Sequence, residues 1–123
     1  MNKITLIGRM TRDVEIQNTN NGTEYARFNL AVKGKMKDAS GNLSTDFFNC
    51  IAWKEKANLL KKYCKKGDNI AIVGSMTSRK YDKDGSQQTF WEVSVEELEF
   101  LGGVKEQKSE LQPIEIDDDG LPF

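Results

Sequence analysis

The chain has 123 residues, two cysteines, no histidine and a formal net charge of −1. That length suits one domain with a real core but not two. No apolar run approaches the ~20 residues of a membrane-spanning helix, and the opening MNKITLIGRM has too short an apolar stretch, and no small-residue cleavage site, for a signal peptide. Without histidine there is no Ser-His-Asp or Cys-His nucleophile and no His-ligated metal. Neither the G-x-x-x-x-G-K-[ST] nor the G-x-G-x-x-G phosphate loop occurs. Cys50 and Cys64 form no C-x-x-C motif, and one pair is no disulfide framework, so both read as small core residues of a soluble intracellular protein. The charge is unevenly spread. Residues 1–103 carry 16 Lys and Arg against 13 Asp and Glu, a balance of +3, whereas residues 104–123 carry 2 against 6, a balance of −4. A mildly basic body with an acidic tail points to a nucleic-acid or partner-binding protein.

In chain order, KITLIG (3–8) reads as a short strand closed by Gly8, and RDVEIQ (12–17) as a second with Val14 and Ile16 alternating against polar neighbours. NTNNG (18–22) is a turn cluster. EYARFNLAVKG (24–34) puts Ala26, Phe28, Leu30 and Val32 on one face and Arg27, Asn29 and Lys33 on the other. KMKDASGN (35–42) reads as a loop. DFFNCIAW (46–53) differs from the others because both faces are apolar: Phe47, Ile51 and Trp53 on one, Phe48, Cys50 and Ala52 on the other. One face of a small antiparallel sheet meets the core, so the second needs a helix, a subunit or a ligand; periodicity does not decide which face is which.

KEKANLLKKYCKKG (54–67) has helical spacing at Ala57, Leu60 and Cys64, with Gly67 as its stop. Its lysines read as a solvated face. DNIAIVGSMTSRKY (68–81) is the next strand, Asp84-Gly85 marks a hairpin, and TFWEVSVEELEF (89–100) returns. The alternation of Trp91, Val93 and Val95 shifts phase at Leu98 and Phe100, which predicts a β-bulge; Trp91 is read as packing. Periodicity then fades. An all-β chain of five main strands with one helix after the third matches the OB-fold, a partly open Greek-key barrel.

Four segments carry a family resemblance: NKITLIGRMTRDVEI, NNGTEYARFNLAV, TDFFNCIAWKEKANLLKKYCKKGDNIAIVGSMTSRKY and EVSVEELEFL. They resemble the bacterial-type single-stranded DNA-binding proteins, including those of phages and plasmids. The last residues, DDDGLPF, are similar to that family's acidic tip, although Gly120 departs from the commonest spacing. The resemblance implies an OB-fold over 1–103, a short linker over 104–116 of the phage- or plasmid-like kind, and a tip over 117–123. Single-strand binders combine cations that track phosphates with aromatic faces that stack bases. The resemblance implies stacking at Phe47, Trp53 and Tyr81. Met36 falls where relatives often carry another aromatic. Asn49 and the basic residues Arg9, Arg12, Lys33, Lys35, Arg79 and Lys80 complete the expected site.

The resemblance also implies a homotetramer, with Phe48 and Ile4 to Ile7 as candidate subunit contacts. At the tip, Asp117, Asp118, Asp119, Leu121, Pro122 and Phe123 would dock DNA replication, recombination and repair proteins: acids steer toward a basic rim, Pro122 lowers the ordering cost and Phe123 is the anchor. The expected setting is the bacterial cytoplasm, nucleoid-associated, with no membrane, no metal and no nucleotide cofactor. An RNA-binding OB module of the cold-shock or tRNA-binding type is the alternative. A Mg²⁺ nuclease built on Asp117, Asp118 and Asp119 is disfavoured, because metal catalysis needs acids on a rigid scaffold.

Overall fold

The computed structural model describes residues 1–103. The linker and acidic tip read from the sequence lie outside the described residues. The elements are β1 (Ile4–Met10), β2 (Gln17–Asn18), β3 (Glu24–Lys37), β4 (Leu43–Trp53), α1 (Glu55–Tyr63), β5 (Asp68–Lys83) and β6 (Ser86–Gly103). Their order in the sheet is β1-β5-β6-β4-β3-β2, and β1 also pairs with β3. That extra pairing, Arg9 with Ala31 and Met10 with Leu30, closes β1, β5, β6, β4 and β3 into a barrel and leaves β2 as a short flap on β3. The fold is the expected OB-type barrel with one helix. Gly8 sits at the closing seam: a Cβ there would lie 2.8 Å from the Ala31 carbonyl oxygen and 2.9 Å from Val32 Cγ2, so only glycine lets β1 cross β3 this closely.

Strand alternation builds the core. Leu6 and Met10, Ala26, Phe28 and Leu30, Cys50 and Ala52, Ile70 and Ile72, and Val93 and Val95 point inward, and α1 lays Ala57, Leu60 and Cys64 against them. Both thiols are buried. Burial, with Glu92 nearby, pushes Cys50 up to about 12, and burial with Asp68 nearby pushes Cys64 up to about 11. These are inert core groups.

Three expectations change in detail. RDVEIQ is not a full strand; only Gln17–Asn18 pairs. Val14 is buried, but Lys61 Nζ donates to its carbonyl (3.2 Å) and Lys66 N donates to Asp13 Oδ1 (2.8 Å), so this segment is tied to the helix side instead of a ladder. The helix ends at Tyr63, before Gly67, because Cys64 turns extended while its N–H still bonds Leu60. Gly67, at φ +92, serves the turn into β5. The loop expected at 35–42 is shorter than read: β3 runs to Lys37, so 38–42 alone make the turn before β4 starts at Leu43.

The predicted phase shift is a bulge, since Val73 pairs with Glu97 and Gly74 with Val95, leaving Glu96 extra; a second irregularity leaves Leu101 extra. Asp84 and Gly85 both have positive φ, 52° and 83°, the signature of a type I′ hairpin. Because β4 and β6 run parallel at Cys50 and Val93, the β3–β4 and β5–β6 hairpins extend as two arms from the same end of the barrel.

Candidate nucleic-acid interface

Register settles the question of the two-faced strand. Opposed residues share a face, and Phe28 with Cys50 and Ala26 with Ala52 are buried. The Phe48 face therefore meets the core, and Phe48 itself packs partly buried against it. As a subunit contact Phe48 is thus badly placed; of the β1 candidates, Leu6 is core, Ile4 packs on the core and Ile7 is half exposed. The opposite row faces out: Tyr25 with Trp53, Arg27 with Ile51, Asn29 with Asn49, Ala31 with Phe47, and Lys33 with Thr45. Phe47 is 63 % exposed, because its cross-strand neighbour Ala31 is too small to cover a ring.

This row is organised by side-chain contacts. Asn29 Nδ2 donates to Asn49 Oδ1 (3.1 Å) and to the Phe48 carbonyl (3.3 Å). The Tyr25 and Trp53 rings lie 5.3 Å apart, tilted by 39°. The Arg27 guanidinium carbon stands 5.4 Å from the Tyr25 centroid, and its Nε donates to Glu92 Oε2 at 3.2 Å. Glu92 is the buried charged residue among the described residues, and Ile51, opposite Arg27, is also buried.

Arg9 and Lys33 come together beside Phe47. With Ile7, Gly8, Ala31, Thr45 and Asn69 they line a groove of about 290 Å³ that crosses the β1–β3 seam. Lys35 and Met36 stand exposed on the β3–β4 arm. On the β5–β6 arm, Arg79 covers the ring of Phe90 at 4.8 Å, and Tyr81, opposite Gln88, is exposed on the same side as Arg79 and Glu92. Lys80 is separated from that group: it alternates to the other side of the arm, with Thr89 opposite and Trp91 next along the row. Arg12 is exposed on the bend after β1, whose next residues, Asp13 and Val14, are tied to Lys66 and Lys61 instead of to the aromatic row.

Trp91, read as packing, is 56 % exposed. It does continue the core row of Val93 and Val95, but it lies beyond the barrel on the arm, where no core remains to receive it. Tyr25, Arg27 and Phe90 are the residues that the sequence reading left out. Their row was legible from alternation; the partners that fix them, across 65 residues in the case of Arg27 and Glu92, were not. Among the described residues no cluster of three or more His, Cys, Asp or Glu could hold a metal, and no helix is long and apolar enough to cross a membrane.

An outward row of rings and amides flanked by cations is the arrangement that single-strand recognition requires. A model described as the single-strand binding protein family matches residues 1–101. "Single-stranded DNA-binding protein 4" of Streptococcus agalactiae serotype V is 34% identical over 137 residues, covering 100% of this chain and 99% of that one. "Single-stranded DNA-binding protein A" of Bacillus subtilis is 35% identical over 102 residues, which cover 82% of this chain and 59% of the longer relative. Among solved structures, the chain titled "Plasmodium falciparum SSB complex with ssDNA" superposes with a TM-score of 0.71 at 28% identity, covering 82% of this chain and 95% of that one. The chain belongs to the single-strand binding protein family.

Proposed function

We propose that this protein binds single-stranded DNA along the outer β3–β4 row and the β5–β6 arm. It coats strands exposed in replication, recombination and repair. The observation that carries the reading is Phe47 and Trp53 facing outward from one strand, 63 % and 39 % exposed, with Arg9 and Lys33 in the adjoining groove. Rings that could have been core are left in water beside cations. Bases stack on Phe47, Trp53 and Tyr81, Met36 packs more loosely on a base, Arg9, Lys33, Lys35 and Arg79 meet phosphates, and Lys80 meets them where the strand wraps to the other side of the arm. Arg12 lies at the margin, and Asn49 contacts base edges or sugars.

The proposed organisation is a binding domain over 1–103, a linker over 104–116 and a docking tip over 117–123. In that scheme Asp117, Asp118, Asp119, Leu121, Pro122 and Phe123 recruit DNA-processing enzymes, the protein assembles as a homotetramer, and it works in the bacterial cytoplasm. The chemistry is binding alone, without a cofactor.

Titration of tryptophan emission with oligo-dT at several salt concentrations tests the core claim. The expected result is quenching at Trp53 and an affinity that falls steeply with salt. Undiminished emission together with no binding would end the reading. Competition of poly-dT against poly-U at fixed salt separates it from an RNA-binding role: equal or better competition by poly-U favours RNA. Removing Phe123 should abolish capture of DNA-processing enzymes and leave oligo-dT affinity intact.

A further inference from the structure

Glu92 is out of place on a surface meant for phosphates. Its side chain keeps only 9% of its surface in water, it repels a polyanion, and burial of its charge is costly unless it is paired. Its partner is Arg27, whose side chain remains 42% exposed. The bond uses Nε, so the two Nη groups have no hydrogen-bond partner among the described residues. The guanidinium is then carried over the Tyr25 ring, and that ring meets Trp53. Trp53, Tyr25 and Arg27 form one continuous run of flat groups in contact, the two rings tilted by 39°. By contrast, Arg9, Lys33 and Arg79 form no ion pair among the described residues.

We propose that Arg27 is a base-stacking surface of the single-strand interface and not a phosphate cation, because Glu92 both fixes its plane and cancels its charge. This rests on the single-stranded DNA reading and assigns a residue that the reading leaves unassigned. A guanidinium is planar and delocalised, and it stacks on aromatic faces; unpaired bases stack on such planes as they do on rings. A cation already neutralised by a buried carboxylate releases little counterion when a phosphate approaches. The ligand at this position is therefore an unpaired nucleobase. Glu92 is a positioning residue: it acts through Arg27 and touches no DNA.

The two roles differ in their salt dependence. The full-length chain is titrated with dye-labelled oligo-dT across a series of salt concentrations, reading anisotropy. Arg27→Met keeps the apolar stem and removes the plane. The expected result is binding roughly 5- to 10-fold weaker, and in the double variant Arg27→Met with Glu92→Gln, which keeps the local charge at zero, the slope is unchanged. Arg79→Ala, the comparison, flattens the log–log slope by about 0.7. Glu92→Gln unmasks the Arg27 charge and steepens the slope by about 0.7. An oligonucleotide of abasic sites should bind wild type and the double variant Arg27→Met with Glu92→Gln equally.

Because Arg27→Met strands a buried carboxylate, the double variant Arg27→Met with Glu92→Gln guards against misfolding. It should melt near wild type and bind as weakly as the single variant. A slope lost in this double variant, as in Arg79→Ala, makes Arg27 a phosphate contact and overturns the proposal. A folded double variant that binds oligo-dT as wild type does makes the pair purely structural and overturns it too. Wild type failing to bind oligo-dT sinks the single-stranded DNA reading itself, a result distinct from either.

Discussion

Phe47 and Phe48 are adjacent in sequence and opposite in fate, so truncating each to alanine separates binding from stability. Phe47 is 63 % exposed. With about a third of a ~200 Å² side chain covered, its burial contributes at most about 2 kcal/mol at ~25 cal/mol per Å², and alanine keeps part of that. Its loss from a stacking site costs ~1–3 kcal/mol per base, a roughly 5- to 150-fold loss of affinity. Phe48 packs against the core opposite Leu30. Its truncation leaves a cavity and costs about 3 kcal/mol, which lowers the melting temperature by roughly 10–20 °C in a domain of this size.

The assay pairs oligo-dT titration with thermal denaturation. Phe47→Ala should bind poorly and melt within a few degrees of wild type. Phe48→Ala should melt early and, below its transition, bind much as wild type does. If Phe47→Ala binds normally, or if Phe48→Ala loses affinity without losing stability, the assignment of the outer face is wrong.

Truncating Tyr81 to alanine should weaken oligo-dT by roughly 5-fold or more without a change in salt slope if the ring serves as proposed, as a stacking surface and not a phosphate contact; anisotropy across a salt series checks it. Gly8→Ala places a Cβ 2.8 Å from the Ala31 carbonyl and must part β1 from β3, so the melting temperature should fall by roughly 10 °C or more, consistent with about 2 kcal/mol. The thiols set an alkaline limit. Cys50 and Cys64 are raised from 9.0 to about 12 and about 11, so the unfolded chain releases these protons first. Their contribution is complete below pH 9 and is lost as pH climbs toward 11–12. A pH series of denaturant melts should show stability declining only above pH 9, with the decline reduced in Cys50→Ser.

The OB-type barrel was legible because its signals are local. Alternation at Ala26, Phe28 and Leu30 named a core face, and Asp84-Gly85 named a hairpin. The phase change after Val95 named a bulge. What escaped depends on lengths and distant partners. Val14 fits a strand rhythm, but it anchors to α1 through Lys61, and nothing within RDVEIQ reports that. Trp91 keeps the core rhythm after the core has ended, and only the length of the arm reveals this. Arg27 looks like any polar-face residue until Glu92 is found beneath it. Phe47 and Phe48 show the same limit at its simplest: periodicity separates the two faces of a strand, and only the surrounding sheet decides which one meets water.

The barrel is joined unevenly around its circumference. β5 and β6 share a long ladder, whereas two joints rest on only two residue pairs each: β4 with β6 at Cys50–Val93 and Ile51–Ser94, and β1 with β3 at Arg9–Ala31 and Met10–Leu30. Short ladders open first, so amide exchange by local opening should be faster at the β1–β3 joint than along β5 and β6. The groove of Arg9 and Lys33 straddles the same joint. A strand of DNA seated there would strap one of the barrel's short joints. Its binding free energy would be read not only in affinity but in slowed exchange at Arg9 and Ala31, growing as RT ln(1 + [L]/Kd).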